Sequence, residues 1–347
     1  MTNDGPTHDA HASRSIWGFA FGYFAAYVPY AALTKVLSDG SIPGQSAIPG
    51  AELLPATAVA SALAALAVIT ALGWWRHAHH VTLGGVHLPC PARWTLLSGI
   101  ASAAVIVTTT LAYTFRGVSI VFMVLLMKGG VLVIAPIVDA ASHRAVRWFS
   151  WTGLGLSLAA LAVTFRGDDL TLSPAAGLDV AVYLGAYFVR LQLMSKLGKR
   201  PEHEVRLRYF VEEHMVASPA LLAILAVLAL ADLPHLRDGF ARLLHPQLAG
   251  WGLLVGLLSE GTGVFGALVL LDPRESSFAV PVNRASSILA GVVGSLALAG
   301  LLGFAMPASS ELVGAGLVVL AIGVLAAPGL LGPRARATSA DAAPRAG

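Results

Sequence analysis

The sequence predicts an all-α polytopic membrane protein, with ten transmembrane helices arranged as two inverted five-helix repeats. Three observations lead there. The 347 residues are 56% hydrophobic and only 12% charged, with a mean hydropathy of +0.74. A soluble domain carries charge on about a quarter of its residues, and a disordered chain needs low hydrophobicity. Apolar runs recur in blocks of about 20 residues, the helix length that crosses about 30 Å of hydrocarbon. The ~10-residue alternating segments of a membrane β-barrel are absent. Finally, features of the first half of the chain return in order in the second half.

Taken in order, the ten spans cover roughly 17–37, 53–75, 94–114, 119–139, 148–166, 177–196, 209–231, 248–271, 277–302 and 310–331, with ends set to within a few residues. Residues 1–15 form a polar cytoplasmic N-terminal segment, and the apolar stretch after them lacks a small-residue cleavage site. It reads as a retained helix and not as a signal peptide. The junction at 115–118 is thin, because only Arg116 and Gly117 interrupt the apolar run. The first repeat covers 16–166 and the second 167–331, and the low-complexity segment 332–347 reads as a disordered cytoplasmic tail. Cys90 is the single cysteine, so no internal disulfide exists.

Orientation follows from counting Lys and Arg. With the N-terminus inside, 14 of the 22 cations fall on inner segments, four on outer loops and four within spans. Both termini are therefore expected in the cytoplasm, in a multi-pass plasma (bacterial inner) membrane protein. Trp17, Trp74, Trp75, Trp94, Trp148 and Trp151 fall at inner span ends and Trp251 at an outer one, the belt that indole rings form at membrane interfaces.

The repeat rests on paired positions. Tyr23 and Tyr27 match Tyr183 and Tyr187 at an offset of 160, which also pairs Tyr30 with Arg190 and Glu52 with Glu212. Gly153 and Gly155 match Gly314 and Gly316 at 161, and Lys128 matches Arg284 at 156. Each unit is five spans. An odd number inverts the second unit in the membrane, a common plan of secondary transporters with a midplane site at the repeat interface.

On these residues the chain resembles the drug/metabolite transporter superfamily, in its EamA-like group, over roughly residues 16–330. The five-plus-five layout carries the resemblance, with the aromatic first span ending in Lys35, the short hairpins joining spans 3 to 4 and 8 to 9, and the glycine-patterned fifth and tenth spans. Many EamA-like units end spans 4 and 9 with a Gly-Glu pair. Here span 4 ends in Asp139 and span 9 has no acid. The resemblance implies a carrier for small metabolites that works by alternating access and needs no cofactor.

Charges within spans are costly and mark candidate function. Lys128 lies ~15 Å from the outer surface and Arg284 ~12 Å from the inner one at 1.5 Å per residue. Two cations at midplane suit an anionic group such as phosphate or carboxylate, Arg as a planar fork and Lys as a point charge. Gly129 and Gly130 allow close backbone approach beside Lys128, while Asn283, Ser286 and Ser287 surround Arg284 with polar groups. The bland alternative is an internal ion pair, and Glu260, at a depth near that of Arg284, is the expected partner. The sharper alternative for Glu260 is a coupling carboxylate, whose pKa burial raises. Tyr23, Tyr27 and Tyr30 share a helical face at i, i+4 and i+7, and Tyr183, Tyr187 and Arg190 repeat that spacing. Such a stripe lines a cavity or simply packs. Lys35 and Arg190 lie near span ends and can snorkel.

Glu212, Glu213 and His214 read as acids at a helix N-terminus, held by its dipole and by Arg206 and Arg208; a cytoplasmic gating ion pair is the sharper reading. His77, His79 and His80 read as a solvated loop more than a metal site, with no Cys, Asp or Glu close by in sequence. Pro136 and Pro281 are expected to kink spans 4 and 9. No Walker loop, nucleophile elbow, zincin or dinucleotide motif is present, so no enzyme activity is expected, and scattered Lys and Arg give no nucleic-acid surface. The expected partners are a small-molecule solute and the lipid bilayer, and a homodimer is compatible with both. The leading expectation is a secondary transporter for a small anionic metabolite. The rivals are a flippase for a lipid-linked sugar or amphiphile, and a membrane accessory protein without transport.

Overall fold

The computed structural model describes residues 7–113, 115, 118, 120–134, 148–164, 173–198, 202–232, 235–272 and 276–340. About 82% of the chain is helical. Eleven helices are named here in chain order: α1 (Thr7–Asp39), α2 (Gly50–Ala71), α3 (Arg93–Ala112), α4 (Ile120–Ile134), α5 (Trp148–Thr164), α6 (Pro174–Leu197), α7 (His203–Leu230), α8 (Leu236–Ala241), α9 (Pro246–Leu270), α10 (Ser276–Leu302) and α11 (Ser309–Ala340). Two short strands, β1 (His80–Leu83) and β2 (Val86–Pro89), pair as an antiparallel hairpin between α2 and α3.

Among the described residues six helices are long and apolar enough to cross a membrane: Ile16–Asp39, Gly50–Ala71, Arg93–Ala112, His203–Leu230, Pro246–Leu270 and Val282–Leu302. Two further apolar helices, Ile120–Ile134 and Ser309–Val324, are shorter. The fold is that of an all-α membrane protein, with six such helices among the described residues. The junction at Arg116 and Gly117, and Pro136 and Asp139, lie outside the described residues. Helix α11 runs to Ala340, into the segment that the composition marks as a tail.

Local chemistry sets several ends. Ser173 caps α6, its hydroxyl accepting from the Ala176 amide at 3.2 Å, and Pro174 takes the first helical position, where its missing N–H costs nothing. Pro246 opens α9 in the same way. Gly303 follows α10 with φ +70°, the left-handed turn that a glycine accepts without a Cβ clash.

Packing depends on small residues, because lipid gives apolar helices no hydrophobic reason to associate. Helix α9 lies along α2, where Gly252 and Gly256 face Ala56 and Ala60. A Cβ on Gly252 would stand 2.2 Å from the Ala56 Cβ, and one on Gly256 would stand 2.5 Å from that of Ala60. Helix α3 lies along α6 and α7, and a Cβ on Gly99 would meet Val216 at 2.5 Å. Helix α1 packs against α9 and α10, and α5 against α11.

Candidate functional site

Helix α4 is not a regular α-helix. Leu125–Gly129 form a π-helical turn, a feature enriched at functional positions. Lys128 sits on that turn. Gly130 follows it, and a Cβ there would stand 2.8 Å from a Leu184 methyl of α6. The glycine lets α6 come close and brings Tyr183 and Tyr187 to Lys128.

The Lys128 ammonium donates to the Tyr183 hydroxyl at 2.8 Å. It also lies 5.0 Å from the Tyr183 ring centre, 5.4 Å from that of Tyr27 and 5.9 Å from that of Tyr187, within the range of cation–π attraction. Arg284 of α10 reaches the same phenol, its Nη1 donating to the Tyr183 hydroxyl at 3.3 Å. Its guanidinium carbon stands 4.5 Å from the Tyr187 ring centre. Lys128 is 2% exposed and Arg284 fully buried. Among the described residues neither cation meets a carboxylate in an ion pair, and the Arg284 Nε and Nη2 have no hydrogen-bond partner.

A small cavity of about 80 Å3 lies against this group. Lys128, Tyr187 and Arg190 line it from one side, and Tyr23, Tyr27, Tyr30, Asn283 and Glu260 from the other helices. Arg284 and Tyr183 are not among its lining residues. Asn283 is 1% exposed; it donates to the Gly266 carbonyl at 3.2 Å, and its Oδ1 has no hydrogen-bond partner among the described residues. Gly266 makes that possible, since a Cβ there would stand 3.2 Å from the Tyr23 ring and 3.4 Å from the Asn283 amide. Ser287 is occupied by the Arg284 carbonyl and Ser286 by that of Val282, each at 3.0 Å.

The aromatic stripe on α1 is buried and bonded onto α3. Tyr27 and Tyr113 share a short hydroxyl–hydroxyl contact, and Tyr30 bonds the Thr110 hydroxyl at 2.7 Å. Tyr27, Tyr30 and Tyr113 meet edge to face. This arrangement suits both packing and lining, because each phenol keeps a polar partner in an apolar interior.

Four expectations need correction. Glu260 does not pair with Arg284. It lines the cavity, 6% exposed, with its Oε1 free of any hydrogen bond among the described residues. Equal depth on adjoining helices did not bring the two side chains together, because Arg284 turns toward α6. Arg190 does not snorkel. Its Nε and Nη2 grip Glu213 as a two-pronged fork at 2.8 and 3.0 Å. Glu213 therefore pairs with Arg190 and not with the flanking Arg206 and Arg208, and with Glu212 and His214 it lies inside α7, not at a helix N-terminus as expected. Ser98 and Ser102 of α3 donate to it at 2.8 and 2.9 Å, and the Tyr209 hydroxyl at 3.3 Å. Lys35 is 7% exposed and caps the carbonyls of Phe115 and Val118, each at 3.3 Å, while pairing with Asp39 at 3.6 Å.

Ser98, Ser102, Tyr113 and Tyr209 were not singled out from sequence. The i, i+4 spacing of Ser98 and Ser102 on one face of an apolar helix was the available signal. Glu212, beside Glu213, holds the chain before α3. It accepts from the His79 amide at 3.0 Å, the Ala92 amide at 3.1 Å and the Thr95 hydroxyl at 2.6 Å. On α2, Glu52 receives Arg242, which follows α8.

No family model matches the chain, and no curated protein does. Twenty-four chains of solved structures match it. One, described as the crystal structure of a protein, aligns at 15% identity and a TM-score of 0.49, covering 90% of this chain and 96% of its own. A likeness of that degree carries no argument about fold or function.

Proposed function

We propose that the chain is a ten-helix secondary transporter, built as two inverted five-helix repeats, that moves a small anionic metabolite by alternating access between the two sides of the membrane. The observation that carries this reading is the pair Lys128 and Arg284. Two buried cations share one neutral phenol and have no carboxylate among the described residues. Unpaired buried charge is costly, and an anion entering the adjoining cavity offsets that cost. The free Nε and Nη2 of Arg284 offer a planar face for a carboxylate or phosphate. Arg284 does not itself line the cavity, so an anion that engages both cations must pass the residues that do, Tyr187 among them.

Exchanged contacts support the repeat. Glu52 opens the second helix of one unit and holds Arg242, in the connection before α9. Its counterpart Glu212 lies inside α7, the second helix of the other unit, and holds His79 and Ala92, in the connection before α3. A pseudo-two-fold axis swaps those relationships. It likewise swaps the packing of α1 on α9 with that of α6 on α3. In this reading both termini are cytoplasmic, and Glu213 and Arg190 close the inner end of the cavity.

Uptake into proteoliposomes from a panel of phosphorylated and carboxylated metabolites tests the proposal. The expected result is saturable uptake of at least one anion, lost in Lys128→Ala and Arg284→Ala. Uptake of every responsive solute unchanged in both variants would overturn it.

A further inference from the structure

The hairpin between α2 and α3 has two unlike faces. Its register sets Val81 opposite Leu88 and Leu83 opposite Val86, with Thr82 opposite His87. Side chains alternate along a strand, so Val81, Val86 and Leu88 share one face. They are 40%, 58% and 48% exposed. The other face carries His80, Thr82 and His87, and the Thr82 hydroxyl bonds the His87 Nδ1 at 3.1 Å. Gly84 and Gly85 make the two-residue turn, with φ +58° and +85°, the positive values that a tight hairpin turn demands.

A two-stranded hairpin is marginal in water by itself, yet this one is fixed at its base. Glu212 holds the amides of His79 and Ala92, and the Arg208 Nε donates to the His77 carbonyl at 3.3 Å. Among the described residues nothing covers its apolar face. We propose that this face lies in the membrane interface, with Val81, Val86 and Leu88 against lipid acyl chains and His80, Thr82 and His87 toward headgroups and water. Continuity identifies lipid as the occupant. Both flanking helices, Gly50–Ala71 and Arg93–Ala112, are long and apolar enough to span a membrane. Leu72, Trp94, Leu96 and Leu97 at their adjoining ends are exposed in the same way. The Arg93 guanidinium lies 5.3 Å from the Trp94 ring centre, placing a cation and an indole at the hairpin's foot, where headgroups meet the hydrocarbon.

The full chain lends itself to a direct test, because Cys90 is its single cysteine. In a Cys90→Ser background, single cysteines replace Val81, Val86 or Leu88 on one face and His80 or Thr82 on the other. Each variant is labelled with a polarity-sensitive fluorophore and reconstituted in vesicles of zwitterionic and anionic phospholipid. The expected result is blue-shifted emission, quenched by brominated acyl chains, for the labels at Val81, Val86 and Leu88. Labels at His80 and Thr82 should instead be quenched by aqueous iodide. Equal iodide quenching on both faces overturns the proposal. So does disulfide cross-linking between two copies through Val81→Cys without bromolipid quenching, which would assign the face to a second chain. Monodisperse elution of each labelled variant establishes that the fold is retained.

Discussion

Lys128 and Arg284 donate to one and the same oxygen, the hydroxyl of Tyr183, at 2.8 and 3.3 Å. They stand on different helices, α4 and α10, and α6 supplies the phenol between them. A neutral oxygen can accept from both donors without compensating either charge. The arrangement therefore holds two cations together and leaves their charge for something else to meet.

Replacing Tyr183 with Phe removes the shared acceptor and keeps the ring. Two buried charged donors then lose a partner. The expected loss is about 1–3 kcal/mol of stability, read as a lower Tm of the purified protein in detergent. An unchanged Tm would mean that the cations find equivalent partners without the phenol.

The Arg190–Glu213 pair is buried and bidentate, with side chains 10% and 1% exposed. Glu213→Ala should cost about 3–5 kcal/mol, because it strands the guanidinium, while the double variant Arg190→Met, Glu213→Leu should recover much of that loss. A double-mutant cycle of thermal unfolding measures the coupling. Additive single effects would contradict a direct pair.

Helix α9 approaches α2 through Gly252 and Gly256. Gly252→Leu should abolish stable expression, since even a Cβ there meets Ala56 at 2.2 Å. Gly250→Leu should be tolerated, because among the described residues nothing lies within 4 Å of a Cβ at that position. Fluorescence-detected size-exclusion profiles of the two variants make the comparison, and equal profiles would refute the close approach.

Glu212 fixes the chain before α3 through two backbone amides and the Thr95 hydroxyl. In Glu212→Ala those amides lose their acceptor. Hydrogen exchange at His79 and Ala92 should accelerate, with exchange in the middle of α9 unchanged. Uniform exchange in wild type and variant would show that the clasp contributes nothing.

Much of this was legible in the sequence. Intramembrane charge singled out Lys128, Arg284 and Glu260, and the i, i+4, i+7 spacing put Tyr23, Tyr27 and Tyr30 on one face, where all are under 5% exposed. Partner choice was not legible. In helices apolar all round, periodicity does not fix rotation about the axis, so depth alone wrongly joined Glu260 to Arg284. Neighbourhood in sequence likewise suggested Arg206 and Arg208 for Glu213, whereas Arg190 on another helix meets it. The π-helical turn that presents Lys128 has no reliable sequence signature beyond the adjacent Gly129 and Gly130. The hairpin did carry one. Apolar and polar residues alternate on both sides of Gly84-Gly85, a strong turn signal, while the polar histidines just before it resemble a solvated loop.

The central claim is that Lys128 and Arg284 form an anion site, and binding tests it most directly. Isothermal titration of the purified protein with whichever phosphorylated or carboxylated metabolite raises its Tm should show saturable binding. That binding should weaken by about tenfold or more in both Lys128→Ala and Arg284→Ala, the loss of a charge-assisted hydrogen bond. An uncharged analogue bound as tightly as the anion, or an anion bound equally well by both variants, would contradict the account.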